Sequence, residues 1–167
     1  MGSSLKLFTI RGIDIRLHVT FPLILLWAAF QFGLASGAGM TGAIFGVTAV
    51  SLLFVLITLH ELGHSFAAQY YGVPVKQIIL SPIGGVAQLM RMPEKPVQEF
   101  VVAIAGPAVN FIIAGLMWLA ALSLDINLSN PLRVLVGLGG ASLSSLFTYI
   151  FVYNIFLAVF NLSLIHI

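Results

Sequence analysis

The sequence predicts an all-α polytopic membrane protein, with about four transmembrane helices and one small membrane-associated β-hairpin between the second and third. Three observations carry this reading. Of 167 residues, 60% are hydrophobic and 7% charged, against about 25% charged in an ordinary soluble domain. Four runs nearly free of charge approach the roughly 20 apolar residues that a bilayer core of about 30 Å asks of a helix. One intervening stretch, VPVKQIILSPIGGVAQLM, is rich in β-branched residues and broken at Ser81-Pro82-Ile83-Gly84-Gly85, punctuation that suits a hairpin and interrupts a helix.

The first apolar run covers residues 19–35 and ends at the glycine-rich stretch 36–42. The second covers 43–71 and carries His60-Glu61-Leu62-Gly63-His64 towards its C-terminal end. The hairpin follows within residues 73–90, and the proline-marked loop Met92-Pro93-Glu94-Lys95-Pro96 then leads into the third run, 97–124. The fourth run is placed at 138–161, its start blurred by Gly137, Gly139 and Gly140. Residues 1–18 hold Lys6, Arg11 and Arg16 ahead of the first run, but they alternate apolar with polar residues and show no cleavage site. A cleaved signal peptide is therefore not expected. Residues 1–161 read as one membrane core.

The chain has no cysteine, which excludes disulfides, thiolate metal sites and cysteine nucleophiles together. A net charge of +2 without a basic run interleaved with aromatics argues against nucleic acid as a partner. The basic residues read instead as topology signals. With four spans, Lys6, Arg11, Arg16, Lys76, Arg91 and Lys95 fall on one side and Arg133 alone on the other. This places the N-terminus in the cytoplasm and the HELGH end of the second helix in the cytoplasmic half of the membrane.

His60 and His64 stand four residues apart, so on a helix they share one face a turn apart and both imidazoles can reach a single ion. Glu61 lies about 100° round from His60, close enough to take a proton from a water on that ion without filling a coordination position. The pattern thus supplies two metal ligands and a general base. An ionisable residue deep in a membrane helix costs about 2.5–3.5 kcal/mol, so three within five positions call for a compensating partner, which a divalent cation provides. His18, between Arg16 and Thr20, reads as an interfacial residue.

Taken together, LFTIRGIDIRLHVTF, HELGHSFAAQYYGV, PIGGVAQL, MPEKPVQEFVVAIAGPAVNF and NIFLAVFNL resemble the site-2 protease family, which cleaves membrane-spanning substrates within or near the bilayer. The opening is most similar to the bacterial branch whose longer members append a pair of CBS domains. The resemblance implies one zinc per active site, held by His60 and His64, with Glu61 as general base. It implies that Gly84 and Gly85 belong to a β-segment presenting substrate in extended form, and that Asn154 and Asn161 match two substrate-side asparagines of the fourth helix. Gly106, Pro107 and Asn110 match a motif packing the third helix against the catalytic one. The implied function is regulated intramembrane proteolysis of a single-span protein, such as an anti-sigma factor or other membrane regulator, in a bacterial inner membrane. A non-catalytic membrane binding protein of the same fold is the alternative. Membrane HExxH proteases of the prenyl-protein or heat-shock type lack the GPAVN and FNL segments.

The family's fourth helix continues from its second asparagine as N-x-x-P-x-x-x-x-D-G, whose aspartate is the third zinc ligand. Counted from Asn161, the proline position is Leu164, and the aspartate would fall two residues beyond Ile167. The tail Leu162-Ser163-Leu164-Ile165-His166-Ile167 can be read from CTG TCT CTT ATA CAC ATC, the transposon end used in tagmentation libraries. Residues 162–167 are accordingly expected to be a non-native, adapter-derived tail on a truncated chain that lacks activity of its own. His166 would stand most of a helical turn from the aspartate position and is not expected to replace it.

Overall fold

The structure, a computed structural model, describes residues 4–91, 93, 95–128, 130 and 140–165. Arg133, Gly137 and Gly139, Met92 and Glu94 of the proline-marked loop, and His166 and Ile167 of the tail lie outside the described residues.

The chain opens with two strands, β1 (Ser4–Ile10) and β2 (Ile13–His18). They are joined at Arg11-Gly12, where both residues take positive φ, 47° and 81°, as a two-residue turn matched to strand twist requires. The alternation seen in residues 1–18 is therefore that of a hairpin. On its polar face Lys6 pairs with Asp14 at 2.7 Å, and hydrogen bonds from Lys6 and then Thr9 hold the Asp14 carboxyl below its ordinary pKa. His18 Nδ1 meets Thr20 Oγ1 at 2.7 Å and closes the turn after β2.

Helix α1 (Phe21–Ala29) passes into a π-helical segment, Phe30–Ala35. Helix α2 (Gly39–Tyr70) follows, then β3 (Val75–Ser81), β4 (Gly84–Leu89), α3 (Pro96–Ser123) and α4 (Leu143–Ile165). Residues 162–165 thus extend α4. Among the described residues α2, α3 and α4 are long and apolar enough to cross a membrane, while Phe21–Ala35 is a shorter apolar helix. The expected hairpin between the second and third runs is present as β3 and β4. It belongs to a larger sheet, ordered β1-β2-β3-β4, in which β2 and β3 run parallel. Parallel strands need a long crossover, and here α1 and α2 supply it.

The residues group into two compact units. One comprises 1–21, 54–110 and 157–167. Its sheet buries Ile13, Ile15, Val75, Ile78 and Leu80. It is tied to the C-terminal half of α2 by the Arg11 guanidinium 5.2 Å over the Phe66 ring and by Gln69 Nε2 donating to the Arg11 carbonyl at 3.1 Å. Arg91 donates to the Gly72 carbonyl at 2.8 Å, satisfying a group at the end of that helix.

The second unit comprises 22–53 and 111–156. Within it α1 and the N-terminal half of α2 pack through small residues, as membrane helices do where no hydrophobic effect draws them together. A Cβ on Gly42 would fall inside the Phe32 carbonyl oxygen, and one on Gly46 would stand 2.6 Å from the Ala28 oxygen. By contrast, a Cβ on Gly115 of α3 would meet nothing within 4 Å. Gly42→Ala should therefore destabilise the protein by about 1–3 kcal/mol, whereas Gly115→Ala should be neutral or stabilising by up to about 1 kcal/mol. Thermal unfolding of both variants in one detergent checks the contrast, and equal effects would contradict it.

Candidate metal and catalytic site

Helix α2 delivers His60 and Glu61 from one turn and His64 from the next, and each side chain is met by a different neighbour. His60 is buried, and its Nδ1 lies 3.2 Å from Asn110 Oδ1 on α3. His64 Nδ1 lies 2.7 Å from the Val102 carbonyl oxygen, also on α3. A carbonyl oxygen only accepts, so Nδ1 of each ring carries the proton and each Nε2 presents a lone pair. Those two Nε2 atoms stand 3.0 Å apart. Two bare nitrogens at that distance repel unless a cation lies between them, and two imidazoles on one tetrahedral zinc at about 2.05 Å would stand roughly 3.3 Å apart. The pair therefore fits a zinc ion. Among the described residues no third His, Cys, Asp or Glu joins it to form a ligand set.

Close backbone approach makes this geometry possible. A Cβ on Gly106 would overlap His64 Nε2 and lie 2.6 Å from Cδ2 and Cε1 of the same ring. A Cβ on Gly63 would stand 2.8 Å from the Ala105 carbonyl oxygen and 2.9 Å from Val109 Cγ2. Helix α3 thus touches α2 on both sides of His64 because neither glycine has a side chain. Pro107, buried beside Gly106 within α3, withdraws one N–H from the helix ladder at the contact. On the other flank β4 covers Glu61. A Cβ on Gly85 would stand 2.8 Å from Glu61 Cγ and 2.9 Å from Ile57 Cγ2.

Residues 48–130 match the profile of peptidase family M50. A zinc metalloprotease of Methanocaldococcus jannaschii is 43% identical over 129 residues, which is 77% of this chain and 36% of that protein. The solved structure of a site-2 protease from the same organism aligns with a TM-score of 0.68 at 36% identity, covering 96% of this chain and 64% of that one. The chain belongs to peptidase family M50, the site-2 proteases. A candidate zinc metalloprotease of Synechocystis is 33% identical over 167 residues, 97% of this chain and 41% of that protein. The chain spans about two-fifths of the length of these curated relatives. Its apolar helices and its family make it an integral membrane protein.

Of the residues singled out from the M50 resemblance, the structure brings together His60, Glu61, His64, Gly85, Gly106, Pro107 and Asn110, all in one unit. Gly84 opens β4 with φ 130°. Asn161 lies in the same unit, but its Nδ2 donates to the Leu157 carbonyl of its own helix at 2.7 Å. Asn154 is fully buried on α4 in the other unit. Sequence reading missed the Val102 carbonyl, which is a backbone group and leaves no side-chain signal. It also passed over Gly63, which stood in view inside the HELGH pattern.

Because the His64 ring rests directly on the Gly106 backbone, Gly106→Ala should turn that ring away from Val102 and separate the two Nε2 atoms. Imidazole nitrogen NMR of the metal-free protein checks this through the Nδ1–H tautomer of His64, which the variant should lose and Gly115→Ala should keep. An unchanged His64 spectrum in Gly106→Ala would contradict the packing.

Proposed function

We propose that this chain carries the catalytic helix of an intramembrane zinc endopeptidase acting on single-span membrane proteins, such as an anti-sigma factor or other membrane regulator. The observation that carries the reading is the pair of Nε2 lone pairs 3.0 Å apart, each ring pinned through Nδ1, with the Glu61 carboxyl on the next position of the helix. His60 and His64 are the two ligands from this chain. Zinc, when bound, supplies a Lewis acid for the scissile carbonyl and activates the attacking water. Glu61 takes the proton from that water and returns it to the leaving amine. Asn110 and the Val102 carbonyl hold the imidazoles in the tautomer that frees Nε2 for metal. A transmembrane substrate hides its peptide carbonyls in helical hydrogen bonds. Strand β4, at the end of the sheet, offers an edge on which a segment unwound from that helix pairs in extended form, and Gly84 and Gly85 open that edge.

The sheet also supports four crossings and a common side for the basic residues. Strand β2 pairs with β3, so the N-terminal hairpin and the connection from α2 to α3 share one side of the membrane. If α2 crosses, residues between β2 and α2 must cross as well, and Phe21–Ala35 is the apolar helix available. Its 15 residues span about 22 Å, a shortfall that local bilayer thinning accommodates. Lys6, Arg11, Arg16, Lys76, Arg91 and Lys95 then lie together on the cytoplasmic side of a bacterial inner membrane. The second reading, a substrate-holding homologue without catalysis, draws on the absence of a third ligand beside His60 and His64 among the described residues.

Zinc content separates the two readings. In a protein that includes the family's Asp-Gly pattern, Glu61→Gln should keep about one zinc and lose roughly a hundred- to ten-thousand-fold in cleavage rate, while His60→Ala should lose the metal. Zinc lost from Glu61→Gln but kept by His60→Ala would sink the assignment. For the topology, Lys95 is exposed at the start of α3 and the chain has no cysteine of its own. A Lys95→Cys variant should resist an impermeant thiol reagent in intact cells and react once they are opened. Labelling from outside would reverse the orientation.

A further inference from the structure

The register of the sheet gathers basic side chains at one of its ends. Strands β2 and β3 run parallel with Asp14 opposite Gln77, so the Arg11-Gly12 turn and the start of β3 share an end. Val75 stands opposite Leu89, which brings the close of β4, and Arg91 after it, to the same end. The last turn of α2 arrives there too, since Gln69 Nε2 donates to the Arg11 carbonyl and Arg91 donates to the Gly72 carbonyl. Lys76 is the residue passed over where the β3–β4 register shifts between Val75 and Gln77, a bulge of the kind that re-aims a side chain. Arg11, Lys76 and Arg91 are all exposed.

Little negative charge offsets them. Residues 4–91 hold Lys6, Arg11, Arg16, Lys76 and Arg91 against Asp14 and Glu61 alone. Glu61 belongs to the site on α2, and Asp14 is taken by Lys6 at 2.7 Å and Arg16 at 3.9 Å. Neither Arg11 nor Lys76 forms an ion pair among the described residues. Arg11 is fixed 5.2 Å over the Phe66 ring, a contact that consumes none of its N–H donors. Position along the membrane helix adds a second constraint. Tyr70, which ends the membrane-crossing helix α2, is 84% exposed, and such amphipathic rings collect at the membrane–water boundary. At the opposite end of the sheet the β3–β4 turn leaves Ile83 96% exposed, a side chain suited to hydrocarbon. The sheet thus runs from an apolar end to a basic end beside the point where α2 leaves the membrane.

We propose that Arg11, Lys76 and Arg91 form a seat for the headgroup phosphate of an anionic phospholipid in the leaflet from which α2 emerges. A guanidinium fork matches phosphate oxygens, and an ammonium adds a point charge. A lipid is the occupant that meets both ends of the sheet, because it carries a phosphate and hydrocarbon in one molecule. Bound there, it fixes the depth at which the sheet meets the bilayer. The inference needs the chain to be a membrane protein and does not depend on the protease reading.

The test titrates the full chain, in detergent micelles, with dioleoyl-phosphatidylglycerol or dioleoyl-phosphatidylcholine and counts bound lipid by native mass spectrometry. The wild type should retain phosphatidylglycerol in preference to phosphatidylcholine. Lys76→Gln removes an exposed side chain and should weaken phosphatidylglycerol binding roughly fivefold, the worth of one basic residue at an anionic surface. Lys6→Gln removes the same charge from the same sheet, away from the proposed seat, and should change binding less than twofold. The triple variant Arg11→Gln, Lys76→Gln, Arg91→Gln should lose about a hundredfold. Inorganic phosphate at the lipid's concentration should displace none of it. Equal retention of the two lipids by the wild type overturns the proposal, as do equal losses in Lys76→Gln and Lys6→Gln, which would mean attraction by net charge alone. Displacement by phosphate would make this a site for free anions, and displacement of the lipid by an equal concentration of a glutamate hexapeptide would assign it to an acidic protein segment; either result overturns the lipid.

Discussion

Two neighbouring backbones have to reach van der Waals contact with one turn of α2, and the absence of side chains at Gly63, Gly85 and Gly106 permits it. Helix α3 comes in on the His64 flank and β4 on the Glu61 flank. That proximity gives the two histidines, in a membrane helix where an ionisable group costs about 2.5–3.5 kcal/mol, the partners that make them tolerable: Asn110 and the Val102 carbonyl. The same contacts orient the groups. A histidine whose Nδ1 is spent on a carbonyl has only Nε2 to offer a metal, and both rings offer it to one point.

The sheet is the second element on which the site depends. Strand β4 reaches Glu61 because β3 holds it, and β3 is paired on its other side with β2, from the beginning of the chain. The N-terminal hairpin therefore helps hold a catalytic-side strand some sixty residues later in sequence, and Arg11 and Gln69 fasten it to α2. This pairing also supports one side of the membrane for segments separated by α1 and α2.

Much of this was legible in the sequence because its signals are side chains at fixed spacing. The HELGH pattern marked the site, long apolar runs marked α2, α3 and α4 to within a few residues, and Pro82 with Gly84-Gly85 marked the β3–β4 turn. The opening hairpin was less legible. Its alternation and its Arg11-Gly12 turn were visible, but Lys6, Arg11 and Arg16 drew attention as topology signals, and pairing with a strand beyond α2 leaves no local trace. The π-helical turn at Phe30–Ala35 was likewise hidden, since its register depends on packing against Gly42 and Gly46. Gly85 was read from the family as a residue that gives substrate room. The structure adds that the face it leaves open is filled by Glu61.

Nε2 of His60 and Nε2 of His64 are placed to face one divalent cation. Zinc X-ray absorption spectroscopy on the purified, zinc-loaded protein tests it directly by counting imidazole nitrogens around the ion. Two are expected at about 2.0 Å in the wild type and one in His64→Ala. A spectrum with no imidazole scattering, or one that is the same in both proteins, would contradict it.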